Sequence, residues 1–130
     1  MSIASSLRAK VLEDATVSGL IGSRMYPNHA PQNPTYPLLV YRRRETRRDY
    51  SMDGPTELVM SLYEFVAYSS DYGEAWETMN AVISHMDQFR GSSGGVTYTH
   101  CLWVFDRDDY DDKIEKHMAV ARIDIWYVVA

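Results

Sequence analysis

Catalysis needs a nucleophile, a base and a scaffold that holds them within hydrogen-bond reach, and the side chains that would serve are sparse here. His100 and Cys101 are adjacent, and on a strand adjacent side chains point to opposite faces, so they cannot form a nucleophile–base pair. His29, His85 and His117 are far apart, in a predicted loop, helix and strand margin. No HxxxH or HExxH spacing occurs, so no metal-ligating pair shares a helix face. Cys101, the single cysteine, excludes a disulfide framework and a cysteine-based zinc site and reads as a small buried hydrophobe. The run Asp106-Arg107-Asp108-Asp109-Tyr110-Asp111-Asp112 has the carboxylate density of a calcium loop. It lacks the turn glycine, and its twelfth position is His117, where such a loop needs a bidentate glutamate. Phosphate-cradling loops, dinucleotide glycine fingerprints and nucleophile elbows do not occur. The expectation is a non-enzymatic protein with no catalytic residue, no cofactor and no metal site.

Charge is the more informative chemistry. Net charge is −5, which argues against a generic nucleic-acid binder. The charge is unevenly placed, however. Residues 42–48 hold five arginines (Arg42, Arg43, Arg44, Arg47, Arg48) against Glu45. Residues 106–115 hold six acids against Arg107 and Lys113. Two readings fit: a pair of solvated loops, or opposite-sign patches that orient neighbouring subunits head to tail. On the second reading the contacts are Arg43, Arg44, Arg47, Arg48 and Tyr50 on one side, with Asp108, Asp109, Asp111 and Asp112 on the other.

The elements that must carry these residues follow from periodicity. With 130 residues, one domain over 1–130 is expected. Ile3, Leu7 and Val11, with Ala4, Leu12 and Ala15, form one apolar stripe of a helix over about 3–15. A short helical turn follows, opened by Thr16 or Ser18 and stopped at Gly22. Pro27, Pro31, Pro34 and Pro37 make 22–37 an extended loop. Strands are expected over 38–42 and 57–68, separated by a polar loop over 43–55 that ends in the turn-like Asp53-Gly54-Pro55. A second helix spans 72–89, with Asp71 as N-cap, Glu74 three residues later, and Trp76, Met79, Ile83 and Met86 on one face. After Gly91-Ser92-Ser93-Gly94-Gly95, strands over 96–105 and 118–129 flank an acidic loop over 106–117.

The fold class predicted is α+β: a mainly antiparallel four-stranded sheet with two principal helices packed on it, in the order α-β-β-α-β-β. The strand over 57–68 is apolar on both faces, with Leu58, Met60, Leu62 and Val66 on one and Val59, Tyr63, Phe65 and Ala67 on the other. Either one helix covers each face, or one face is an interface. No segment approaches the roughly 20 apolar residues that span a bilayer. The start, Met1 to Arg8, lacks a signal-like apolar run, so a cytosolic start and no membrane partner are expected.

An ordered series of short motifs resembles the tail terminator or tail-completion family of long-tailed phages, which includes their tail-to-head joining proteins. Leu20-Ile21-Gly22-Ser23-Arg24-Met25-Tyr26-Pro27 follows the first helix. It is similar to the family's run of leucine, a small or apolar residue, glycine, any residue, arginine, an apolar residue, an aromatic and proline. Ala30-Pro31-Gln32 and Tyr36-Pro37-Leu38-Leu39-Val40-Tyr41 continue the series, and Ala67-Tyr68-Ser69-Ser70-Asp71-Tyr72 leads into Glu74-Ala75. Ala121-Arg122-Ile123-Asp124-Ile125-Trp126 closes it.

The resemblance covers nearly the whole chain. It implies a structural virion protein, made in the host cytoplasm, at the head-proximal end of the tail. Copies would form a ring, commonly a hexamer, that caps the tail tube, ends its polymerisation and offers a surface for head–tail joining. The implied partners are the chain itself, the tail tube protein and the head–tail connector protein, with passive contact with DNA in the lumen. The arginine cluster and the acidic loop are more pronounced than the family pattern requires. As mobile segments they would order on ring closure. Two alternatives stand beside this: another connector or neck component, and a small nucleic-acid-binding module using the Arg42–Arg48 loop.

Overall fold

The computed structural model describes residues 2–51 and 54–129, and the side chains of all of these but 49–51 and 54–56. Ser2 accepts a hydrogen bond from the Ser5 amide and so caps the first helix, α1 (Ile3–Leu12). The apolar stripe is cut short at Asp14, whose carboxylate accepts from the Val17 amide and starts α2 (Ala15–Ile21). Gly22 ends α2 at a φ of 62°, a region that glycine enters without steric cost. A three-residue strand, β1 (Met25–Pro27), and the proline segment then lead to two long strands, β2 (Leu38–Ser51) and β3 (Gly54–Ser69). Asp71 accepts from the Glu74 amide and caps α3 (Tyr72–Met86), as the sequence predicts. The chain closes with β4 (Gly91–Ser93), β5 (Val96–Asp111) and β6 (Lys116–Val129).

These strands form one curled, mixed six-stranded sheet in the order β1-β2-β3-β6-β5-β4. All neighbours are antiparallel except β1 and β2, which run parallel. The expected four-stranded sheet with two principal helices is therefore wrong: the described residues form six strands and three helices. The two extra strands are three residues each, too short to show a period-2 pattern; β1 hides in a proline-rich stretch and β4 in the Gly-Ser run. The extra helix is the expected short turn after α1, lengthened to seven residues by the Asp14 cap.

The two segments expected as loops, 43–55 and 106–117, are mostly strand. β2 stays paired with β3 out to Ser51 and Gly54, and β5 with β6 out to Asp111 and Lys116. The backbone satisfies its own hydrogen bonds in these hairpins, so polar side chains are tolerated on both faces. The expected turn at 53–55 begins at Asp53, outside the described residues.

All three helices contribute to one core, on one face of the sheet. Leu7, Val11, Val17, Ile21, Met79 and Val82 pack there against Phe65, Tyr98, Ile123 and Ile125 from the strands. A buried relay tightens this layer: Ser6 donates to the Ser93 carbonyl at 2.7 Å, so the Tyr98 hydroxyl, also 2.7 Å away, donates to Ser6. Among the described residues no helix covers the opposite face. There Leu38, Val40, Leu62, Val66 and Val120 are nonetheless buried. The proline segment provides part of the cover, because residues 28–34, Tyr36 and Ile114, from the β5–β6 turn, enclose a cleft over Leu38, Val40 and Tyr68. On β3 the helices cover one face, while on the other the proline segment reaches Tyr68 and Leu58 lines an open cleft.

Candidate assembly interface

The basic cluster lies on β2, beyond the stretch that β1 covers. β1 pairs with Leu39–Tyr41, and Asn28 donates its amide to the Tyr41 carbonyl at 2.9 Å. From Arg42 outward the free edge of β2 has no strand beside it among the described residues. Arg42 is held within the chain: its guanidinium donates to the Asn28 carbonyl at 3.0 Å and faces Glu64 at 3.9 Å. Arg47 pairs with Glu45. Arg43, Arg44 and Arg48 are exposed and form no ion pair among the described residues. Tyr50 lies in β2, but its side chain is outside the described ones.

The acidic cluster lies on β5, at the other edge of the sheet. The 87–93 segment shields the first part of that edge. β4 pairs with 96–98, Gln88 donates to the Cys101 carbonyl at 2.7 Å, and the Asp87 carboxylate takes the Trp103 amide at 2.9 Å. From Val104 to Asp111 no strand flanks the outer edge among the described residues.

Several of the acids already have work inside the chain. The Asp108 carboxylate accepts from the Trp76 indole at 2.6 Å and from the Tyr72 hydroxyl at 3.1 Å, tying the acidic arm to the start of α3. That bond also pushes the Tyr72 phenol up, since the hydroxyl must keep its proton to donate. Asp109 accepts from the Tyr110 amide at 2.8 Å and from Arg107 at 3.0 Å, which together hold its carboxyl below the usual range. Asp111 accepts from the Lys113 amide at 3.0 Å and stabilises the turn. Asp106 and Asp112 are exposed.

The structure does not bring the two clusters together in one chain. Arg47 is level with His100, by way of Met60 and Trp126, so Asp108 lies about eight residues further along the sheet, roughly 25 Å. No ion pair joins the clusters among the described residues.

Three apolar features lie outside the contact residues expected from the sequence. At a register shift in β5, Trp103, Val104 and Phe105 are 45, 48 and 42% exposed in succession. The broken alternation of Trp103-Val104-Phe105 was the signal: three large apolar residues in a row cannot all face one core. Second, Leu58, Leu102 and Trp126 line an open cleft with Thr99 and His100 on the face opposite the helices. Third, Tyr72 and Tyr110 stack edge-on against His117, at 5.7 and 4.9 Å between ring centres. Cys101 is fully buried, and burial pushes its thiol up to about 12. Among the described residues no group of three or more His, Cys, Asp or Glu could hold a metal, and no helix is long and apolar enough to cross a membrane.

Comparison with known proteins gives this arrangement a context. A solved chain from the virion of a native gene transfer agent particle superposes with a TM-score of 0.76 at 12% identity, over 98% of each chain. A second solved chain matches more loosely, with a TM-score of 0.54 at 14% identity over 99% of this chain and 97% of its own. At such identities the likeness is one of fold. No curated protein matches in sequence. The family model described as tail completion protein gp17 matches residues 5–128. The chain belongs to that tail completion family and is a structural protein of the virion tail.

Proposed function

We propose that copies of this chain form a closed ring at the head-proximal end of the tail tube. The ring ends tube polymerisation and presents a surface for head–tail joining. The observation that carries this reading is the charge separation on one sheet. Arg43, Arg44, Arg47 and Arg48 line one edge, and Asp108, Asp109, Asp111 and Asp112 line or follow the other. A contact between unlike patches is heterologous, and repeating it about an axis yields a ring when the rotation closes. Six copies is the number the family resemblance suggests. The tube protein and the head–tail connector would occupy the two rims, and DNA would pass through the lumen without being read. The function is architectural and needs no catalysis.

The test is to add the purified chain to its polymerising tube protein. Tubes should stop lengthening, with the chain at one end only. Unchanged tube lengths with no end-bound density would rule the capping role out.

A second reading rests on Arg43, Arg44 and Arg48, which are exposed and unpaired among the described residues: a nucleic-acid-binding edge. It predicts DNA affinity of the isolated chain that falls steeply with salt, because neutralising phosphates releases counterions.

A further inference from the structure

We infer that neighbouring copies join by main-chain pairing, the free edge of β2 in one copy adding as a strand to the free edge of β5 in the next. This rests on the self-assembly reading above and specifies its contact. Both edges belong to one sheet. β2 runs antiparallel to β3, β3 to β6, and β6 to β5, so β2 and β5 run in opposite directions. A second copy laid alongside in the same orientation therefore pairs antiparallel, with its helices on the same side. Open edges are templates for such addition, and a soluble protein that leaves two of them needs a partner or a blocking device.

Accessibility and charge select the same stretch. The 87–93 segment occupies the β5 edge up to Trp103, so only 104–111 is open, and that is the acidic part. On β2 the open part begins at Arg42, which is the basic part.

The register can be taken further. Through the pairing rows, Arg42, Glu45 and Arg47 share one sheet face with Phe105, Arg107 and Asp109. Directly opposed residues in an antiparallel pair lie on the same face. Placing Glu45 opposite Arg107 then sets Arg47 over the Phe105 ring and, because the bulge in β2 between Arg43 and Glu45 takes up one residue, Arg42 beside Asp109. The one acid of the basic run thus meets the one base of the 106–111 run, and exposed Phe105 receives a guanidinium. This register staggers the copies by four to five residues, roughly 15 Å, across a copy four long strands wide, roughly 19 Å. The implied strand tilt is roughly 40°, within the range of closed sheets.

The test is a charge swap with a cross-link beside it. Glu45→Arg alone and Arg107→Glu alone should each raise the concentration needed for assembly about tenfold or more. The double swap should return it to near the native value, because the pair is restored with reversed sign. Independently, mixing Glu45→Cys with Arg107→Cys chains under mild oxidation should give a disulfide-linked heterodimer. Its yield should far exceed that of Glu45→Cys mixed with Glu77→Cys, which sits on α3; Cys101 is buried in every variant. All three positions are exposed, and circular dichroism confirms folding. If the native chain assembles but the swap fails to rescue and the cross-link stays at the control level, the edge pairing is overturned and assembly uses another surface. If the native chain does not assemble even with its tube protein present, and no cross-link forms, the self-assembly reading falls with it.

Discussion

At the scale of single residues, the polar groups that looked most like a site are divided between structural work and open surface. Asp108 holds Trp76 and Tyr72, whereas Arg43, Arg44 and Arg48 hold nothing among the described residues. Asp108→Ala should cost about 0.5–1.5 kcal/mol, since exposed partners can turn to water. It should also return the Tyr72 phenol toward its ordinary value. Urea unfolding and tyrosine titration by NMR would read both effects, and an unmoved Tyr72 would show that the Asp108 bond does not form in solution. Burial pushes Tyr63 and Tyr98 up to about 12. Between about pH 10 and 12 the folded chain then holds protons that the unfolded chain has released. Stability should fall with rising pH across that window, by about 1.4 kcal/mol per pH unit for each buried phenol. Alkaline unfolding monitored by phenolate absorbance would test this. Ionisation of all ten tyrosines together near pH 10 with the fold intact would contradict it.

At the scale of elements, α3 is the part on which the helical layer depends. It touches β3, β5, β6, α1 and α2, and its Met79 is fully buried. Met79→Ala should destabilise the chain by about 2–5 kcal/mol, measured by urea denaturation; a loss below about 1 kcal/mol would mean the layer repacks around the cavity. This helix was legible in the sequence because Asp71 and Glu74 mark its start and Trp76, Met79, Ile83 and Met86 repeat at helical spacing. Nearly all of β3 and β6 and the inner parts of β2 and β5 were also legible, as short apolar runs or, in β5 and β6, as alternation. The outer parts of β2 and β5 were not. Side chains at Arg43–Arg48 and Asp106–Asp112 face water on a two-layered hairpin, so no burial imposes a pattern, and polar strand looks like polar loop. Nothing in those residues records that their amides are paired to Tyr63–Val59 or to Ala121–Lys116. The same blindness hid which acids act inside the chain, because Asp108 meets Trp76 only through the tertiary fold.

At the scale of the whole molecule, one sheet carries opposite charge on its two open edges, with helices confined to one face. That polarity is what a subunit of a ring requires, since each copy must both offer and accept a contact. Pairs between exposed charges are screened by salt, with a Debye length of about 8 Å at physiological ionic strength, so the contact should weaken as salt rises. The most direct measurement is the mass of the chain by light scattering, across concentration, at low and high salt, alone and with its tail tube protein. A mass that climbs with concentration toward a fixed multiple of 15.0 kDa, and drops back at high salt, is the predicted result. A mass of one chain under every condition, tube protein included, would contradict the ring.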